Sequence, residues 1–205
     1  AGAFAFAPEG PLLAPFGLGL AAWLVVSALL TLGERVLVFD LPFGQSASRL
    51  KGLPRGAWGL FIAHAAVGVL VAGVAGSAWQ VEKIVAMKPT ERLAIAGFEL
   101  SFIGVSEGQG PNYRFQRGEF ALANGERLLP ERRFYPVAGT PTTEAAIRTG
   151  VLGDLYLVLG EGGAAGEFTV RVYFNPLVPW IWIGALAMIF GGLVSLTYTR
   201  YRVGA

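Results

Sequence analysis

The stretch RGAWGLFIAHAAVGVLVAGVAGSAWQV, residues 55–81, decides the fold. From Gly56 to Val81 it contains no charged side chain. It is longer than the roughly 20 apolar residues that cross about 30 Å of hydrocarbon at 1.5 Å rise per residue. Two further runs without charge flank it, Leu12–Leu32 and Asn175–Thr199. Three such runs in 205 residues, 54 % hydrophobic and only 15 % charged, describe a membrane protein rather than a soluble domain. The formal charge of +2, with no basic cluster interleaved with aromatics, argues against nucleic acid as a partner. Cysteine is absent, so the chain has no disulfide, thiol nucleophile or thiolate metal site of its own.

Cations in short loops mark the cytoplasmic face. Arg35, Arg49, Lys51 and Arg55 lie between the first two runs, and Arg200 and Arg202 follow the third. A three-span topology puts both groups on one side, whereas the segment before the first span carries Glu9 and no cation. The expectation is an N-terminus outside and a C-terminus inside, with Trp58 at the inner surface and Trp79, Trp180 and Trp182 at the outer one. An outside start with neither signal peptide nor initiator methionine implies the C-terminal part of a longer polytopic protein, or one piece of a divided one.

Between Trp79 and Pro176 the pattern changes to short β-type runs: Val81–Met87, Phe98–Val105, Phe115–Ala123, Arg127–Phe134, Leu155–Leu159 and Phe168–Phe174. Asn124-Gly125 signals a two-residue hairpin, and 108–112 a loop. Thr142–Thr149 reads as a short helix capped by Thr142 or Thr143, with Glu144 and Arg148 as an i,i+4 pair. Glu131-Arg132-Arg133 reads as a solvated face or a partner contact. The fold class is therefore integral-membrane α-helical, with three spans and an inserted extracytoplasmic small β-barrel or sandwich. Residues 1–79 hold two membrane helices, about 12–33 and 57–79, joined by cytoplasmic loop 40–55. Residues 80–176 form the exported β-rich domain, and 177–205 the third helix and cytoplasmic tail.

One histidine is present, and it lies within the second span. Counted from Ala57, His64 sits about 10 Å into the hydrocarbon. An ionisable group there is costly, which makes a functional site the first hypothesis. Three roles stay open on residue type alone: a hydrogen-bonded structural histidine, a haem-iron ligand, and a proton relay. His64, Gly68, Ala72 and Gly76 follow at i+4 steps as a ridge with little bulk. Such a ridge admits a close helix neighbour, or leaves room beside the imidazole for a flat macrocycle. Arg55 is either a positive-inside anchor or a partner for a haem propionate.

The stretch Leu53-Pro54-Arg55-Gly56-Ala57-Trp58-Gly59 leading to His64 resembles the C-terminal region of the CcmF family, haem lyase subunits of cytochrome c maturation. Further stretches resemble it in the same order: Gly110-Pro111-Asn112-Tyr113, Arg133-Phe134-Tyr135, Thr143–Ile147 with Asp154-Leu155-Tyr156, and Val170–Tyr173 through Pro176-Leu177-Val178 to Trp180-Ile181-Trp182. The resemblance implies a bacterial inner-membrane machine that attaches haem to exported apocytochrome c by thioether bonds. It implies a membrane haem b with His64 as one axial ligand, and the second ligand outside this chain. Its implied partners are a periplasmic haem chaperone, apocytochrome c, a thioredoxin-like thiol-reducing subunit, the remainder of the same haem lyase, and membrane lipid. The family's tryptophan-rich haem-handling motif and its other histidines are absent here, so this segment alone is not expected to attach haem. A different class, a non-catalytic assembly or transport subunit with His64 as structural glue, remains the alternative.

Overall fold

The computed structural model describes residues 11–197. Glu9, Arg200 and Arg202, which enter the topology argument, lie outside the described residues. Two compact units are present: Trp79–Pro176, and the helical residues on either side of it.

The helical unit contains α1 (Ala14–Val36), α2 (Phe43–Lys51), α3 (Arg55–Ser77) and α4 (Val178–Leu196). α1, α3 and α4 are long enough to cross a membrane, with mean hydropathies of 2.0, 2.0 and 1.8. Prolines set their starts: Pro54 precedes α3, while α1 and α4 carry Pro15 and Pro179 in their first turns, where a missing N–H costs nothing. α3 therefore begins two residues before the expected 57. The loop after α1 contains an unexpected element. α2 folds there, with buried Ser46 donating from Oγ to the Leu37 carbonyl at 3.3 Å.

α3 is the central helix, and glycine lets its neighbours approach. A Cβ on Gly59 would lie 2.5 Å from the Gly191 carbonyl oxygen of α4, and one on Gly68 would lie 2.9 Å from the Ala21 carbonyl oxygen of α1. Tertiary affinity between membrane helices comes from this kind of close backbone packing, because lipid tails are as apolar as leucine.

The other unit is a β-sandwich of antiparallel strands. Its strands are β1 (Val81–Met87), β2 (Arg92–Ile95), β3 (Phe98–Gln109), β4 (Arg114–Leu122), β5 (Arg127–Leu128), β6 (Glu131–Tyr135), β7 (Thr140–Glu144), β8 (Ala146–Gly150), β9 (Gly153–Gly162) and β10 (Phe168–Pro176). One sheet has the order β1-β10-β9-β8, the other β2-β3-β4-β6-β7 with β5 also on β4. Leu155, Leu157, Val170 and Val172 of the first sheet meet Leu100, Phe102, Phe120 and Leu122 of the second in a fully apolar core. Phe102 and Phe120 stack at 4.6 Å.

The expected strand Arg127–Phe134 is split into β5 and β6 around Pro130, which cannot donate to the ladder. Both pieces still pair with β4, and Gly118 N–H donates to the Pro130 carbonyl. Asn124-Gly125 does form a hairpin, but its connection has three residues. Leu122 N–H bonds the Glu126 carbonyl, and Gly125 takes the left-handed conformation at φ +83°. The expected helix over Thr142–Thr149 is wrong. That segment lies in β7 and β8, where Thr142 and Thr143 pair with Arg133 and Arg132, and Ile147 pairs with Tyr156.

Candidate functional site

α1 and α3 are antiparallel. Gly17 lies against Ala75, and Gly68 against Ala21 and Val25, so Ala28 stands opposite His64 and Arg35 opposite Ala57. The small ridge from Gly68 onward is therefore used for helix packing: Gly68 takes α1, and Gly76 takes Leu177. Room for a ligand lies on the other side of His64. There the two helices part into a groove of about 260 Å³. α1 contributes Trp23, Leu24, Ser27, Ala28, Thr31, Leu32 and Arg35, and α3 contributes Ala57, Leu60, Phe61 and His64.

His64 is an exposed residue of the helical unit, on the wall of this groove. Its Nδ1 lies 2.9 Å from the Leu60 carbonyl oxygen one turn earlier. A carbonyl can only accept, so Nδ1 carries the proton in this bond, and in a neutral ring Nε2 is the nitrogen with the lone pair. A backbone carbonyl on one nitrogen, orienting the ring and leaving the other as donor atom, is the usual second partner of a metal-binding histidine.

Arg55 is not brought to this groove. It lies nine residues before His64, about half a revolution round the helix at 3.6 residues per turn, and it is absent from the lining. The cation in the groove is Arg35, which the sequence reading treats only as a topology marker. A signal for it was present. Trp23, Ser27, Thr31 and Arg35 recur at i+4 steps, a polar-edged stripe on a helix that is otherwise lipid-like.

The β-sandwich holds a second cluster of polar residues. Glu131 is 8 % exposed and receives Arg117 at 2.6 Å and Arg133 at 2.9 Å. Arg133 also reaches Glu144 at 3.3 Å, and its guanidinium covers Tyr113, which in turn contacts Tyr135. Glu131 is thus no solvated face, and Glu144 and Arg148 are no helical pair, since Arg148 donates to Glu126 at 2.6 Å. Burial raises the Glu131 pKa, but the hydrogen bonds from Arg117 and Arg133 outweigh it and leave the carboxyl below its ordinary 4.5. Because the folded pKa is the lower one, this stabilisation is present above the unfolded value and is lost as pH falls through the folded value. Glu131→Gln should weaken the sandwich by about 2 kcal/mol at neutral pH and flatten its loss of stability below pH 4.5, as read by pulse proteolysis across pH. An acid profile like that of the wild type would refute this role.

Three membrane-length helices and a β-sandwich between the second and third define a polytopic membrane protein with an inserted sandwich domain. Residues 78–176 match the family described as CcmF C-terminal beta-sandwich. The chain is 41 % identical over 201 residues to the cytochrome c-type biogenesis protein CycK of Rhizobium meliloti, covering 96 % of this chain and 30 % of that protein. It is 35 % identical over 191 residues to the cytochrome c-type biogenesis protein CcmF of Escherichia coli, covering 91 % of this chain and 28 % of that one. Among solved structures, "Cytochrome c Heme Lyase CcmF" shares the fold at a TM-score of 0.67 and 20 % identity, over 95 % of this chain and 32 % of that one. The chain belongs to the CcmF family of cytochrome c biogenesis proteins and carries its C-terminal β-sandwich. It spans about three tenths of the length of these relatives.

Proposed function

We propose that this chain is the part of a bacterial inner-membrane cytochrome c haem lyase that supplies one axial ligand, His64, to a membrane haem b. The observation that carries the reading is the imidazole in the α1–α3 groove, with Nδ1 engaged by the Leu60 carbonyl and Nε2 free to ligate. The donor set fits the group: a neutral imidazole, walls of Leu24, Leu32, Leu60 and Phe61, and the cation of Arg35 at one end. When bound, haem supplies one-electron chemistry that would keep the haem being delivered in its ferrous state. The second iron ligand and the haem-handling surface come from the remainder of the same lyase.

In this reading the chain's own residues bind and orient. His64 holds its ring by the Leu60 carbonyl, and the apolar walls keep water from that face. With no cysteine in the chain, the thiols that form thioether bonds belong to the Cys-x-x-Cys-His motif of apocytochrome c. The sandwich faces the periplasmic haem chaperone or the apocytochrome. That requires it outside, as the cations of the loop before α3 suggest. A fused reporter after Gly125 should be active on the periplasmic side, and activity confined to the cytoplasm would overturn the orientation.

The test of function is a visible spectrum of the detergent-purified full-length parent protein, before and after dithionite. Sharp α and β bands of low-spin haem b are expected. The Nδ1 bond within its own helix also suits a structural histidine, the feature that favours an assembly or transport subunit. No Soret band in protein made with ample haem would select that alternative.

A further inference from the structure

We infer that Arg35 anchors the carboxylate edge of the tetrapyrrole in the groove, so that the macrocycle has its propionates toward the C-terminal end of α1. This rests on the proposed haem site and adds the orientation of the ligand within it.

The groove carries a fixed charge at one end only. Trp23 and Leu24 form the end beyond His64, while Arg35 stands at the other, opposite Ala57. Ala57 is seven residues from His64, which places the backbone of Arg35 about 10 Å along the helix axis from that of His64, within the reach of the arginine side chain. A flat ring held through His64 and lying along the groove would extend its rim toward that level.

Among the described residues Arg35, like Arg49, Lys51 and Arg55 of the helical unit, differs from six arginines of the sandwich in having no carboxylate partner, and of these four it is the one that lines the groove. Arg92, Arg117, Arg127, Arg132, Arg133 and Arg148 each pair with a glutamate in the sandwich. Among the described residues Arg35 makes no ion pair. The nearby Thr31 hydroxyl is committed elsewhere, donating to the Ser27 carbonyl at 2.9 Å. The guanidinium, exposed in the last turn of α1, is therefore the donor left for an anion at this end. Its planar fork suits a carboxylate in a way that a lysine ammonium does not. A plain topology anchor would need the charge alone.

The experiment uses the haem-loaded full-length parent protein in detergent, following haem transfer to excess apomyoglobin and the midpoint potential. Arg35→Gln should release haem on the order of tenfold faster. Its potential should also fall, because loss of a cation near the iron favours the ferric state. Arg35→Lys should lie between the two. Arg55→Gln, on the opposite side of α3, should match the wild type. Haem dimethyl ester should leave the wild type as fast as haem leaves Arg35→Gln. Release rates and potentials unchanged in Arg35→Gln would overturn the inference while leaving His64 as ligand. A wild-type protein without any haem would instead overturn the reading on which it rests.

Discussion

Replacing His64 with alanine in the full-length parent protein is expected to remove the membrane haem altogether while leaving the protein assembled. On the proposed haem reading the substitution deletes the iron donor but disturbs little else. The imidazole is exposed on the groove, and its one hydrogen bond is to a carbonyl of its own helix, which α3 also satisfies through its backbone ladder. No buried partner is orphaned, so the usual large cost of deleting a buried polar group does not apply. A low-spin haem with one remaining axial ligand would lose both its spectrum and much of its affinity, since the apolar walls grip without directing. The measurement is haem per protein by pyridine haemochrome, with gel-filtration behaviour as the control for folding. Haem content equal to that of the wild type would remove His64 from the site. Loss of haem together with aggregation would show that the histidine holds helices rather than iron.

How far the sequence alone reaches differs by element, for physical reasons. The three spans are legible because a single requirement, about 30 Å of hydrocarbon, governs every residue in them. The sandwich is legible in its buried strands. Leu155, Leu157 and Leu159 alternate with Tyr156 and Val158, and the alternation matches one buried face. β7 defeats the same reading. Its sequence Thr140-Pro-Thr-Thr-Glu144 is exposed throughout, so no buried face imposes a period of two. A threonine followed by Glu144, Ala145 and Ala146 then looks like a helix start. What decides the segment is non-local: β6 offers a partner strand, and Arg133 offers Glu144 a charge. The tertiary context overrides the local signal.

The groove is half legible. A histidine inside a span announces itself by its cost, and neutral imidazole limits what it can do. Which cation accompanies it depends on how α1 and α3 are placed against each other, and this is set by steric contacts at Gly17 and Gly68 that no periodicity in one helix reveals. Proximity in sequence favours Arg55 over Arg35, yet helical phase puts Arg55 on the wrong side. The i+4 stripe from Trp23 to Arg35 carries the missing information once two helices, rather than one, are considered.

Gly59→Leu is expected to separate α3 from α4 and to cause a large structural loss in the helical unit. A Cβ at Gly59 meets backbone on the partner helix, 2.5 Å from the Gly191 carbonyl oxygen and 2.6 Å from Ser195 N. Backbone cannot rotate aside as a flexible side chain can, so the axes must move apart. The displacement would spread, because Gly73 against Ile181 and Gly184 against Leu70 belong to the same seam at comparable distances. Overpacking a soluble core commonly costs 1–3 kcal/mol, and here the opened seam fills with lipid and has no hydrophobic force to close it, so about 3 kcal/mol or more is expected. α1 packs on the opposite side of α3, through Gly17 and Gly68, and should remain attached. Cysteine pairs introduced separately across the two seams would report the difference. Crosslinking between α3 and α4 should fall sharply in Gly59→Leu while crosslinking between α1 and α3 persists. Equal loss at both seams would mean that the helices fold as one cooperative unit, and retention at both would mean that the close approach at Gly59 is dispensable.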